Sequence, residues 1–80
     1  MTMTIHDRLL MVASAVLGVS ASSLSGTDSP KTIGTWDSLA HLELFLALEA
    51  EFGVQFSPDD IGTLVTLHQL EAHLEALGAS

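Results

Sequence analysis

Apolar residues along this chain recur at intervals of three and four, the spacing of one helix face, and nowhere alternate like a half-buried strand. The first stripe is Ile5, Leu9, Val12 and Val16. Thr4 stands ahead of it with Asp7 three residues on, the arrangement of a capping box, and Gly18 follows as a stop. Residues 18–37 break the rhythm. They are rich in Ser, Thr and Gly, contain Pro30, and read as a long loop, a length that in a compact domain marks either a functional segment or a misread element. Leu24, Ile33 and Trp36 are its expected anchors on the core. A second helix is predicted from Ser38 to about Phe52, ending at Gly53. Ser57-Pro58-Asp59-Asp60 announces a short third helix: a cap, proline at the first helical position, then acids in the first turn. It carries Ile61 and Leu64, and Gly62 weakens it. Thr66 with Gln69 opens the last helix, whose stripe is Leu67, Leu70, Leu74 and Leu77, with Gly78 ending it. The expected fold is all-α: a single domain over residues 1–80, a small four-helix bundle of three main helices plus a short one, with a long loop between helices 1 and 2.

The second helix carries two apolar arcs. At ~100° per residue, Leu44, Phe45, Leu48 and Phe52 share one arc. Leu39, Leu42 and Leu46 share another, bordered by Glu43 and Glu49. One core-facing stripe would suffice in so small a bundle. The helix is therefore either central, touching neighbours on both sides, or it shows its second arc to other proteins. Periodicity alone leaves both open.

Charge narrows the function. Two basic residues, Arg8 and Lys31, stand against ten acidic ones, for a formal charge of -8. Nucleic-acid binding needs clustered Lys and Arg, and an anionic membrane surface needs them too, so the charge argues against both as partners. The acids suit encounters with basic patches on other proteins. They also repel one another, so salt or divalent cations are expected to stabilise the fold. With no cysteine, the chain has no disulfide, no thiolate nucleophile and no Cys-ligated metal. Leu9 to Ala21 has the apolar character of a signal peptide with a small-x-small end. Asp7 beside Arg8 and the helical beat argue instead for mature structure. No stretch is long enough to span a membrane.

Chemistry concentrates at Asp37-Ser38-Leu39, where the loop meets the second helix. Serine and aspartate are both good helix caps, so either Asp37 or Ser38 could be one. An exposed hydroxyl at a helix start can equally be an attachment point. Asp37, Ser38 and His41 contain the residue types of a hydrolytic triad. Asp37 and Ser38 are adjacent, however, and no glycine elbow or oxyanion loop accompanies them. Four histidines, His6, His41, His68 and His73, invite a metal. His68 and His73 are five apart, which is not one helix face, and no HExxH occurs, so no metal site is expected. His41 sits one turn after Ser38, where it could tune the site, pack or be solvated.

The Asp37-Ser38-Leu39 motif, the following "HLELFLALEAEFGV" with its Leu-Glu-x-x-Phe-Gly ending, and then "FSPDDI" resemble an acyl carrier protein. The order of helices fits as well, and the resemblance spans nearly the whole chain. It implies that Ser38 carries 4'-phosphopantetheine, transferred from coenzyme A by a Mg-dependent phosphopantetheinyl transferase. The thiol of that arm would hold acyl groups as thioesters. Asp37 and Leu39 would flank the attachment site, and Leu39, Leu42, Glu43, Leu46 and Glu49 would form the partner-recognition face. The implied protein is a non-catalytic carrier in fatty-acid, polyketide or specialised acyl metabolism, a cytoplasmic monomer. Its partners would be the transferase, an acyl-loading ligase or transferase, and acyl-processing enzymes. Peptidyl and amino-acyl carriers share the helix order and are the nearest alternative. An acidic helical interaction module without a prosthetic group is the other. Physical chemistry is consistent with the implied arm: its phosphodiester is an anion, and a helix N-terminus offers unpaired N–H donors and partial positive charge. Three positions depart from the pattern. Ala40 and Ala50 stand where fatty-acid carriers often have acids, so the recognition face is expected to be less charged than usual, and Trp36 replaces a small or aliphatic residue.

Overall fold

A computed structural model describes residues 3–79, so the expected 1–80 domain extends past the described residues at both ends. Among these residues the chain forms α1 (Ile5–Leu17), a 3-10 turn (Ala21–Ser23), α2 (Ser38–Phe52), α3 (Pro58–Thr63) and α4 (Leu67–Ala76), with no strand. The helix ends follow the cap signals. The Thr4 hydroxyl accepts from the Asp7 N–H at 3.1 Å, and the Asp7 carboxylate accepts from the Thr4 N–H at 3.3 Å. Ser57 with Asp60 and Thr66 with Gln69 make the same reciprocal box. At the other ends, Gly18 and Gly53 turn left-handed, with φ of 68° and 65°. A side chain there would strain the backbone by about 1–2 kcal/mol.

Among the described residues, thirteen buried apolar residues form one cluster, in which Trp36, Phe45 and seven leucines are at most 2 % exposed. α1 packs against both α2 and α4. Its buried face is Leu9, Ala13 and Leu17, with Ile5, Val12 and Val16 flanking it half-buried. The expected stripe therefore shares only Leu9 with the buried face. From Leu9 to Leu17 this helix is apolar on nearly every side, so period does not fix its rotation and its two neighbours do. In α4, Leu67, Leu70 and Leu74 are buried, but Leu77 is 44 % exposed. The helix stops at Ala76, and Gly78, at φ 75°, turns the chain away. Arg8 fastens α1 to the end of α2. Its Nε donates to Glu51 Oε2 at 2.9 Å and its Nη2 to the Glu51 carbonyl at 2.8 Å, while its guanidinium lies 4.4 Å from the Phe52 ring centroid. A cation on late helix carbonyls also complements the helix dipole.

The long loop is docked rather than loose. Leu24 and Trp36 are buried and Ile33 is half-buried, as expected of its anchors. Asp28 organises a turn, accepting from the Ser25 N–H at 2.8 Å and from the Thr32 hydroxyl at 2.8 Å. The Ser25 N–H is the main reason the Asp28 carboxyl is held below its usual range. The Thr35 hydroxyl donates to the Leu17 carbonyl at 2.6 Å. The carbonyls of Gly26 and Asp28 accept from the His68 and Leu67 N–H groups at 2.8 and 3.3 Å. The loop thus supplies partners for first-turn donors of α4 that the helix itself cannot satisfy.

Candidate functional site at the start of α2

The N-terminus of α2 differs from those of the other three helices. Asp37 is the cap: its backbone is extended and its Oδ1 accepts from the Ala40 N–H at 2.8 Å. Ser38 is the first helical residue, which settles the two cap readings in favour of Asp37. The reciprocal half of a capping box is missing because the third helical position is Ala40, which has no acceptor to reach back. The N–H groups of Ser38 and Leu39 make no hydrogen bond among the described residues. The Ser38 side chain is exposed. A long helix therefore starts here with open donors and an accessible hydroxyl at the same point.

The two arcs of α2 have different fates. Leu44, Phe45, Leu48 and Phe52 are buried. Leu39, Leu42 and Leu46 are 66 %, 45 % and 57 % exposed, so the second arc is a surface rather than a second core contact. Glu43 is exposed on the same side and makes no hydrogen bond or ion pair among the described residues. Glu49 is half-buried, and its Oε2 accepts from the Phe56 N–H at 2.8 Å. That carboxylate also braces the connection from α2 to α3. Ala50 is exposed, but Ala40 is buried at 9 %. Position 40 therefore faces the core, and its lack of an acid takes nothing from the exposed face, contrary to the expectation from sequence.

A cleft of about 610 Å³ adjoins Ser38, between the loop, the first turn of α2 and α3. Pro30, Trp36, His41, Ile61 and Val65 supply most of its wall. Trp36 forms the floor at 2 % exposure, filling volume that a smaller residue would leave to its neighbours. Its indole Nε1 donates to His41 Nδ1 at 2.9 Å, and His41 Nε2 lies 2.6 Å from the Ile61 carbonyl oxygen. An indole N–H can only donate and a carbonyl can only accept. His41 therefore accepts at Nδ1 and carries its proton on Nε2. Its ring meets Phe45 edge-on at 4.9 Å between centroids, Phe45 meets Phe56 likewise at 4.9 Å, and Phe56 stacks on His73 at 5.7 Å. This row of rings joins the cleft to the core.

Both His41 nitrogens are thus bonded away from Ser38, and Asp37 bonds its own helix, so the three do not form a triad. His73 Nε2 lies 3.4 Å from Asp60 Oδ2, and His6 pairs with Glu71. The histidines are spread over the bundle. No three groups of metal-ligating type converge among the described residues. Nor is any described helix long and apolar enough to cross a membrane. The sequence pattern put Asp37 and Ser38 at the start of the helix and separated its two arcs without deciding which is exposed, and it gave no sign of the Trp36–His41–Ile61 bridge, whose partners lie on three separate elements.

The profile of the family described as a phosphopantetheine attachment site matches residues 7–74. An acyl carrier protein of Trieres chinensis is 34 % identical over 74 residues, covering 91 % of this chain and 91 % of that protein. Together with the helix order, these matches show that the chain belongs to the phosphopantetheine-attachment family, as a non-catalytic carrier of the acyl-carrier-protein kind with a covalent 4'-phosphopantetheine arm.

Proposed function

We propose that Ser38 is the attachment residue, that the arm's thiol carries acyl groups, and that the exposed face of α2 is where partner enzymes dock. The observation that carries this reading is the coincidence at the start of α2 of an exposed hydroxyl with N–H donors that no group among the described residues uses. In the loading step the Ser38 oxygen bonds to the β-phosphorus of coenzyme A. The pyrophosphate P–O bond breaks, adenosine 3',5'-bisphosphate leaves, and the serine proton passes to a base on the transferase. The resulting phosphodiester is an anion placed where the helix favours negative charge. Asp37 fixes the first turn, through Ala40 N–H, so that the Ser38 side chain points outward.

Leu39, Leu42 and Leu46 supply apolar contact, and Glu43 the unengaged acid for a basic patch on the partner. Glu49 contributes through whatever of its carboxylate Phe56 leaves free. The transferase, an acyl-loading ligase or transferase, and acyl-processing enzymes would use this face in turn. Shared use demands contacts that are weak and quickly released. The name of the Trieres chinensis relative favours acyl over amino-acyl cargo, in fatty-acid, polyketide or specialised metabolism. We place the chain in the cytoplasm, working as a single monomeric domain. Intact mass tests the attachment. Incubated with coenzyme A, Mg²⁺ and a broad-specificity transferase, the protein gains one phosphopantetheine, and Ser38→Ala gains none. An unchanged mass for the parent protein defeats the proposal.

A further inference from the structure

α3 is the least anchored helix. It has six residues, none of them buried, and leans on the core through half-buried Ile61. Its end also leaves carbonyls without helical partners, as every helix end does. The Ile61 carbonyl would ordinarily be met by the N–H of Val65. The helix stops at Thr63, and the Val65 N–H instead donates to Gln69 Oε1 at 2.9 Å. His41 fills the gap: its Nε2–H meets the Ile61 carbonyl at 2.6 Å, reaching from α2 to α3 along the wall of the cleft. The proton is held on that nitrogen because Trp36 donates to the other. His41 lies three residues after Ser38, on the same side of α2 one turn on. The only other side-chain tie from another helix to α3 among the described residues is His73 to Asp60, at 3.4 Å.

We propose that His41 is a positioning residue for the group tethered at Ser38. As a neutral imidazole oriented by Trp36, it latches the C-terminal end of α3 and sets the width of the cleft. Release of Ile61 from His41 frees α3 and opens the cleft. The positioning role rests on Ser38 being the attachment residue; the latch itself does not.

Three variants separate the parts. His41→Gln places an amide N–H near the Nε2 position and can keep the bond to Ile61. His41→Asn places a carbonyl oxygen near Nδ1 and can keep only the bond from Trp36. His41→Phe keeps a ring against Phe45 and loses both. Amide hydrogen exchange is followed by NMR in the unloaded and the phosphopantetheine-loaded protein. Exchange of the Leu64 N–H, which donates to the Asp60 carbonyl, is expected to rise about tenfold in His41→Asn and His41→Phe, with α1 and α4 unchanged. His41→Gln is expected to stay near the parent protein. Loading the parent is expected to move the amide signals of Gly62 and Val65, and His41→Phe to lose those shifts. Unchanged Leu64 exchange in both His41→Asn and His41→Phe overturns the latch, as does a rise spread equally over all helices. Loading shifts that persist in His41→Phe overturn the positioning role. Should the parent fail to load, the Ser38 assignment and the positioning role fall, while the exchange data from unloaded protein still judge the latch.

Discussion

Leu46 and Leu48 offer a direct test of how α2 divides its surface. They are the same residue type, two apart, and so ~200° around the helix from each other. Leu48 is 0 % exposed and Leu46 is 57 % exposed. Truncating Leu48 to alanine removes a buried side chain and leaves a cavity, a loss of about 2–5 kcal/mol. A chain of 80 residues has a total stability of about 4–12 kcal/mol, so the loss takes a large share of it. At ~4–8 °C per kcal/mol for a domain of this size, a loss near 3 kcal/mol lowers Tm by about 12–24 °C. Truncating Leu46 removes atoms already largely in water, and the change should stay within about 0.5 kcal/mol. Thermal and urea unfolding followed by circular dichroism measure both. Leu46→Ala should instead weaken recognition, raising the transferase KM for the carrier while leaving its fold intact. Comparable destabilisation by the two substitutions would mean that the Leu39/Leu42/Leu46 arc is packed rather than presented, and the docking face would be refuted.

Stability should also depend on pH and salt. The Glu71 carboxylate, bonded to His6, raises the His6 pKa above its ordinary 6.5. That contribution is complete below 6.5 and is lost as pH climbs through the raised value. The Ser57 N–H lowers the Asp60 pKa below its ordinary 3.8, so its contribution is present above 3.8 and is lost as pH falls through the lowered value. At constant ionic strength Tm should therefore be greatest in weakly acid solution and decline modestly toward alkaline pH, because the His6 side chain is half-exposed and its pairing is screened by solvent. His6→Gln should flatten the alkaline side, and an equal decline in that variant would remove His6 as its cause. With a formal charge of -8, self-repulsion should be relieved by added salt or millimolar Mg²⁺. Tm should rise on either titration, and a flat response to both would rule self-repulsion out as a limit on stability.

The parts of the fold that sequence made legible are those set by local chemistry. The ends of α2 fall at Ser38 and Phe52 because an aspartate cap and a left-handed glycine bound the segment. α3 and α4 begin where Ser57 and Thr66 pair with residues three ahead. The rotation of α1 was not legible: its run of apolar residues suits several faces, and packing on α2 and α4 selects Leu9, Ala13 and Leu17. Leu77 continued the spacing of α4, but a backbone turn at Gly78 overrides spacing. Within the loop, serine and threonine content gave the irregular character but not the 3-10 turn at Ala21–Ser23 or the carbonyls offered to α4. Of the site, Asp37, Ser38 and the apolar arc could be placed because all belong to one helix and its cap. The inward turn of Ala40 and the second task of Glu49 depend on contacts made by other elements. His41 was visible one turn from Ser38, yet its role depends on Trp36 and Ile61, which meet it only in three dimensions.

Peptide mapping of the loaded protein addresses the attachment assignment most directly. Trypsin with a glutamate-specific protease releases residues 32–43, in which Ser38 is the one serine. The phosphopantetheine mass should be found on that peptide and fragment to Ser38, with every other serine bare. Finding the arm on a different residue, or on none, would contradict the account.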